Sequence, residues 1–369
     1  MDIVVVGSAG RCGVHEYSRI LVEGFREVGH RARYIAVKRH DNRDLTRGIR
    51  EIREDDDLIV FEYEPGIFWL GGLIRALVWL RFWRCKKILL SLHEIAAEKY
   101  PEYQRIQQHL VRPLSGGRLT EVVKTFLSAF DVALHYLMLR GALLLMGWLP
   151  HAVLVHSPKS AENVRLALVN SHRIHYVPHV VKQLRGDADT LRQELGLPRD
   201  VFAFIIPGFL FRRKRIIEVI EQLPAEAELW VVGTPSRYDP GYLEEIEAHL
   251  VHSDKRQRVR LIQDYERMEQ HLVAADTAVL FYSDAYQSGI ASLAVGAGKP
   301  CIFSDLPAFT DLREVGLTAC TPMELRQAMT AIQEPDCHER LAAAARSLRE
   351  QLSPTRTADR YLRCLNSLA

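Results

Sequence analysis

The chain has 369 residues, 48% of them hydrophobic, with 48 basic and 46 acidic side chains and a formal charge of +2. That length is too great for one ordinary core and suits two domains of about 150 to 190 residues. The composition excludes disordered and fibrous classes, and the balance of charge offers nothing to a nucleic-acid partner.

Six cysteines (Cys12, Cys85, Cys301, Cys320, Cys337, Cys364) are scattered, with no CxxC pair and no His-rich spacing. They read as free thiols in a reducing compartment, with no zinc site. The opening MDIVVVG enters a strand at once and leaves no room for a basic region followed by an apolar one, so the expectation is a cytoplasmic protein.

Residues 3–6 are a continuous apolar strand of the kind buried on both faces of a parallel sheet. A two-glycine loop follows, Ser8 to Gly13, and then a helical spacing from Val14 to Gly29. GxxG is not the dinucleotide fingerprint, so strand, loop and helix suit many nucleotide-binding folds without singling out NAD. Further strands are expected at 33–37, 58–61, 88–92, 152–155 and 174–177. The fourth of the six, 88–92, runs into His93 and Glu94.

Residues 66–87, GIFWLGGLIRALVWLRFWRCKK, interleave aromatic and aliphatic bulk with arginine and lysine. Two readings are open: a crossover helix packed on the sheet, or an amphipathic helix at an anionic membrane surface. Residues 122–149 are the most apolar part of the chain. Asp131 and Arg140 fall inside any span drawn there, which argues for buried helices over a transmembrane one.

The polar stretch 182–200 reads as a linker with a short helix. A second alternation then begins, with strands at 201–206, 227–233, 258–262, 277–281 and 300–303. Pro322 to Leu352 reads as helical, and Ser353-Pro354 precedes a last helix from Thr355 to Leu368. The pattern predicts two doubly wound α/β domains in tandem, 1–182 and 183–352, and a terminal helix, 353–369.

Two stretches of the second domain carry anion-binding chemistry. GFLFRRKR, residues 208–215, places Arg212, Arg213, Lys214 and Arg215 between a buried strand and a helix. The alternative is a solvated basic loop. The second stretch is the turn with Asp284, Gln287, Ser288 and Gly289, which opens a helix rich in small residues. Free N–H groups and the helix dipole there suit a diphosphate.

Several motifs in order resemble those of the family 4 retaining glycosyltransferases. RCGVHEYSRIL (Arg11 to Leu21) resembles the RCGIAxYxxxL of one subgroup. EYEPGIF (Glu62 to Phe68) with LLSLHE (Leu89 to Glu94) resembles its HEYGIF and TLH, and VPHV (Val177 to Val180) its IPHG. PGFLFRRK (Pro207 to Lys214) is similar to FGxxxxxKG, VVGTP (Val231 to Pro235) to VLGxTHP, and QSGIASLAVGAGKP to QxxSGxLAxAxGxGKP.

The resemblance covers nearly the whole chain and implies the GT-B fold: two Rossmann-like domains facing a cleft, the C-terminal helix packing back on the first. It implies a metal-independent, retaining transfer of a hexose, with a nucleotide diphosphate sugar as donor and no cofactor. The acceptor would be a saccharide or a lipid-linked molecule, and residues 66–87 would reach the inner face of the membrane.

Carried over by residue, the resemblance gives Lys214 with Arg213 or Arg212 the donor diphosphate. Gln287, Ser288 and Gly289 border that group, and Gly208, Gly233 and Thr234 border the nucleotide. Gly10 and Gly13 let a loop approach sugar and phosphate, and His93 stands beside the transferred sugar. The chain departs from the family pattern at Ala285 and Leu293, where many members have a Glu-x7-Glu pair, with Asp284 a replacement for the first. It also departs at Tyr63, Phe209 and Arg215, which replace His, Arg and Gly. Two competing readings follow: a protein of this architecture that binds nucleotide or a partner without catalysis, and a nucleotide-sugar epimerase.

Overall fold

The computed structural model describes residues 1–10, 12–64, 67–93, 137, 140–157, 160–161, 164, 171–236, 238–285 and 288–366. These form two compact units. Unit 1 is Met1–Val180 with Pro354–Ala369, and unit 2 is Val181–Ser353.

Unit 1 is built on a parallel sheet of β1 (Asp2–Ser8), β2 (Arg31–Val37), β3 (Leu58–Tyr63), β4 (Lys87–Leu92), β5 (Ala152–Val155) and β6 (Ile174–Tyr176), in the order β2-β1-β3-β4-β5-β6. All six residues of β3 are buried, as a sheet covered on both faces demands. On one face Val4, Val6, Ile59, Phe61, Leu90 and Val153 share a core with α2 (Asn42–Arg50) and α3 (Leu70–Val78). On the other, Ile3, Val5, Leu58, Val60 and Leu89 pack with α1 (Gly13–Glu27).

Unit 2 repeats the scheme with β7 (Phe202–Pro207), β8 (Ala227–Val232), β9 (Val259–Ile262), β10 (Thr277–Leu280), β11 (Cys301–Ser304) and β12 (Gly316–Ala319), in the order β12-β11-β10-β7-β8-β9. Its helices are α4 (Ala188–Glu194), α5 (Ile216–Gln222), α6 (Tyr242–Val251), α7 (Met268–Ala274), α8 (Gly289–Gly296), α9 (Pro322–Ala331) and α10 (Pro335–Gln351). Strand order reverses between β10 and β7, and such a reversal opens a crevice outside the carboxyl ends of the strands.

The chain ends in α11 (Pro354–Asn366), which belongs to unit 1. Ala358, Tyr361 and Leu365 join the core that α1 forms with the sheet. Gly24 of α1 makes the approach possible: a Cβ built on it would stand 2.2 Å from the carbonyl oxygen of Pro354.

Three features depart from the expectations. The helix expected over 322–352 is two helices, because Pro335 has no N–H to donate and begins a new one. Helix α2 and strand β12 were not foreseen. In α2 the buried Leu45, Gly48 and Ile49 follow helical spacing beside the buried Asp44, but the helix is short and otherwise polar, and the Asp41 carboxylate caps it by accepting from the N–H groups of Arg43 and Asp44.

In the basic aromatic segment, Leu70, Leu73, Leu77 and Leu80 are buried while Trp69, Phe82 and Trp83 are exposed. After Val78 the helix continues as a π turn, Trp79–Trp83. It is thus a helix packed on the sheet with an aromatic outer edge. Most of the apolar stretch 122–149 lies outside the described residues, and among those described no helix is long and apolar enough to cross a membrane.

Replacing Gly24 with Ala should force α1 and α11 apart and cost about 1 to 3 kcal/mol, as overpacking does. Urea unfolding of Gly24→Ala against wild type measures this, and equal midpoints would show that α11 adjusts freely.

Candidate functional site

At the reversal in unit 2, the loops after β7 and β10 lie side by side. Ser283 N–H donates to the carbonyl of Arg213 at 2.8 Å. Gly208, at φ 90°, turns the chain away from β7. A Cβ there would lie 3.3 Å from Lys214 Nζ and 2.9 Å from Cδ1 of Ile290 on α8. Gly233 is equally constrained, since its Cβ would stand 2.1 Å from the carbonyl oxygen of Gly208. Leu210 N–H donates to the Thr234 carbonyl at 3.0 Å. The loops that carry Gly208, Lys214, Gly233 and Thr234 therefore form one backbone-packed surface.

The four cations of residues 212–215 have different surroundings. Arg212 pairs with Asp239 and Glu245 and lies over the ring of Tyr242. Arg215 pairs with Glu218 and sits 4.0 Å over the ring of Phe281. It holds φ 50° in the left-handed region, which costs a non-glycine residue about 1 to 2 kcal/mol, and the ion pair and ring offset that strain. Arg213 is half-exposed, 3.8 Å from the exposed carboxylate of Asp284.

Lys214 is buried, and its Nζ donates to the carbonyl of Pro207 at 2.6 Å. Burial, with Arg213 adding to it, lowers its pKa to about 7. Ser288 caps α8, its Oγ accepting from the N–H of Ala291, and Gly289 opens the helix with no atom within 4 Å of where a Cβ would be. Gln287 lies outside the described residues. Phe209 is exposed and stacks on Tyr265, with ring centroids 4.9 Å apart.

Unit 1 gathers a second set of groups. Gly10 N–H donates to Ser8 Oγ at 3.3 Å, and Gly13 begins α1. His93, just past β4, is buried with Glu62, Ser91 and His156. His93 Nε2 is 2.7 Å from Glu62 Oε2, and Ser91 Oγ is 2.5 Å from the same oxygen and 2.8 Å from His156 Nε2. Tyr361 of α11 reaches Ser91 Oγ at 3.1 Å and Glu62 Oε1 at 3.3 Å. Its hydroxyl also meets that of Tyr17 at 2.8 Å.

Burial lowers the pKa of His93 and of His156 to about 3 and that of His179 to about 4, and raises that of Glu62. Donor atoms of Glu62, His93 and His156 lie within 4.8 Å of one another, a set that could ligate a metal. They are engaged with one another and with Ser91, and His156 Nδ1 with the Val177 carbonyl, so the cluster is a hydrogen-bonded network.

The sequence places His93 at a strand end but does not show its partners. Glu62 lies in the motif EYEPGIF with no role implied for it, and His156 directly follows the strand expected at 152–155. Only the packing of α11 brings in Tyr361.

No protein family and no curated protein matches the chain in comparison. Solved structures do. HepE of Anabaena in complex with UDP is 14% identical, with 99% of each chain covered and a TM-score of 0.70. A sucrose-phosphate synthase of Thermosynechococcus elongatus is 16% identical over 100% of each chain at a TM-score of 0.62. WaaG, a glycosyltransferase involved in lipopolysaccharide biosynthesis, is 13% identical over 97% of this chain and 98% of its own, at a TM-score of 0.55. This chain has the GT-B fold. At these identities the likeness extends to the fold and not to the site residues.

The lowered pKa of Lys214 has a stability consequence. Between pH 7 and its unfolded value of 10.5 the folded chain binds fewer protons than the unfolded chain, so this group makes stability rise with pH, by up to about 1.4 kcal/mol per pH unit. Lys214→Met should lose that rise, and unfolding at pH 7, 8 and 9 measures it. Parallel pH curves for the two proteins would contradict a neutral buried lysine.

Proposed function

We propose that the protein is a retaining glycosyltransferase that moves a hexose from a nucleoside diphosphate sugar to a saccharide or lipid-linked acceptor, without a metal. The observation that carries this reading is the convergence of Gly208, Lys214 and the start of α8 at the strand reversal of unit 2. The fold supports it too, since HepE, of the same fold, was crystallised with UDP and with UDP-glucose.

In this reading unit 2 holds the nucleoside diphosphate. Lys214, Arg213 and the N–H groups at Ser288 and Gly289 meet the phosphates, while Gly208, Gly233 and Thr234 let backbone approach the nucleotide. Arg212 stays with its acidic partners and shapes the loop. As the glycosidic bond breaks, the leaving diphosphate gains negative charge, and fixed cations and dipoles stabilise that state more than the ground state. Loss of the acceptor proton to the departing phosphate oxygen, on the face the donor leaves, completes a transfer with retention. His93, neutral at physiological pH, meets the transferred sugar as a hydrogen-bonding group, and Asp284 orients Arg213.

The test is release of nucleoside diphosphate from UDP, GDP, ADP and dTDP sugars, with Lys214→Ala as control. One donor should be turned over and the variant should lose at least tenfold, the order of one charged transition-state contact. Binding without release, with acceptors supplied, would favour the non-catalytic reading, and conversion between sugar epimers would favour the epimerase. Because an anion beside Nζ favours the charged lysine, diphosphate binding at pH 8 should take up a proton. Calorimetry in buffers of different ionisation heat reads that uptake.

A lipid-linked acceptor, and a place at the inner face of the membrane, draw support from the outer edge of unit 1. Trp69, Phe82, Trp83 and Trp148 are exposed there, and Arg43, Arg47, Arg50 and Arg75 line one groove with Asn42 and Thr46. Aromatic and basic groups together favour an anionic lipid surface. The chain should float with vesicles containing phosphatidylglycerol and not with phosphatidylcholine alone, and Phe82→Ser with Trp83→Ser should weaken flotation severalfold. Equal behaviour with both vesicles would remove the membrane from the reading.

A further inference from the structure

The buried network of unit 1 admits few arrangements of its protons. The Val177 carbonyl only accepts, so His156 Nδ1, 2.9 Å away, carries a hydrogen. With His156 neutral, Nε2 accepts and takes the single proton of Ser91. Ser91 Oγ then meets Glu62 Oε2 as an acceptor at 2.5 Å, a contact between two lone pairs unless Oε2 itself carries a proton aimed at Ser91. Glu62 is in that case a neutral acid, and His93 Nε2, 2.7 Å from the same oxygen, must donate.

The one other balanced arrangement moves a proton from Glu62 to His156 through Ser91. Glu62 is then a carboxylate accepting from Ser91 and, again, from His93 Nε2–H. Both arrangements leave His93 with hydrogen on Nε2 and a lone pair on Nδ1. Tyr361 stands over Glu62 Oε1 at 3.3 Å, close to Ser91 and to the Tyr17 hydroxyl, so the carboxyl group has polar partners on both oxygens. An unpaired acid here would carry a desolvation cost, as buried polar groups without partners do.

We propose that Glu62 is a positioning residue that fixes His93 as the Nε2–H tautomer, with Nδ1 the accepting nitrogen offered to a hydroxyl of the transferred sugar, and that Tyr361 of α11 completes the network holding Glu62. The tautomer follows from the network alone. Its role toward sugar rests on the transferase reading above.

Glu62→Gln is the informative change because it is isosteric and reverses the proton pattern. An amide nitrogen at the Oε2 position donates to both Ser91 and His93 Nε2, while its oxygen accepts from Tyr361. That is the amide orientation in which Ser91 can still serve His156, and it turns His93 into the Nδ1–H tautomer. Glu62→Met removes the constraint altogether.

The experiment is a long-range proton–nitrogen correlation spectrum of the full-length chain labelled with nitrogen-15 in histidine, His93 being identified by the signal lost in His93→Gln. Wild type should show a protonated Nε2 and an unprotonated Nδ1. Glu62→Gln should show the reverse, and Glu62→Met a mixture of both tautomers. On the donor identified by the release assay, Glu62→Gln should lower kcat/KM about tenfold, the order expected from removing one hydrogen bond to substrate.

A wild-type His93 with hydrogen on Nδ1 overturns the proposal without any variant, so a misfolded Glu62→Gln does not shield it. An unchanged tautomer in Glu62→Gln also overturns it, as does a reversed tautomer with unchanged kcat/KM for the part that concerns sugar. If wild type turns over no donor, the transferase reading fails, while the spectrum still decides the role of Glu62 toward His93.

Discussion

A lysine amino group held on a backbone carbonyl inside the protein is the constraint on which unit 2 turns. Lys214 Nζ donates to Pro207 O, at the end of the strand whose neighbour on one side is β10. To reach it, the chain must double back within seven residues, and this explains the left-handed Gly208, the short helical turn Arg212–Lys214 and the strained Arg215 that follows. The same fold-back leaves Gly233 no room for a side chain. Burial disfavours the charged form of this amine, and an arriving anion would favour it.

Unit 1 solves the opposite problem. Its buried polar groups are numerous and close, and they satisfy each other, so an acid, a serine, two histidines and two tyrosines sit beneath the carboxyl ends of the strands without a net charge. Burial holds the histidines neutral, which suits hydrogen bonding to a sugar more than proton transfer at physiological pH. In unit 2 a buried amine is ready to take a proton when an anion arrives. In unit 1 a network orders one imidazole.

The fold was legible because parallel strands buried on both faces read as unbroken apolar runs, such as VVV at 4–6, followed by Gly7, and the run at 203–206, followed by Pro207 and Gly208. The loop 208–215 was legible as a cluster of cations between strand and helix. Its division of labour was not, because Arg212, Arg213 and Arg215 differ in the acids that face them: Asp239, Glu245, Asp284 and Glu218. Three of those four, Asp239, Glu245 and Asp284, lie on segments remote in sequence. Likewise His93 could be placed at a strand end, whereas its partner Glu62 comes from the adjoining strand and Tyr361 from the far end of the chain. Pairings that need tertiary packing leave no local periodicity to read. Helix α2 escaped notice because its stability comes from one cap and two apolar side chains.

Because α11 belongs to unit 1 while all of unit 2 lies between it and the rest of that unit, order of synthesis matters. When Val180 leaves the ribosome, the groove beside Gly24 is still empty, and Glu62 lacks the tyrosine hydroxyl that faces its second oxygen. Unit 2 can close on its own residues first. Unit 1 is thus completed only after unit 2 has been made, and a nascent chain cut short anywhere before Tyr361 carries an incomplete first unit, however well its second has folded.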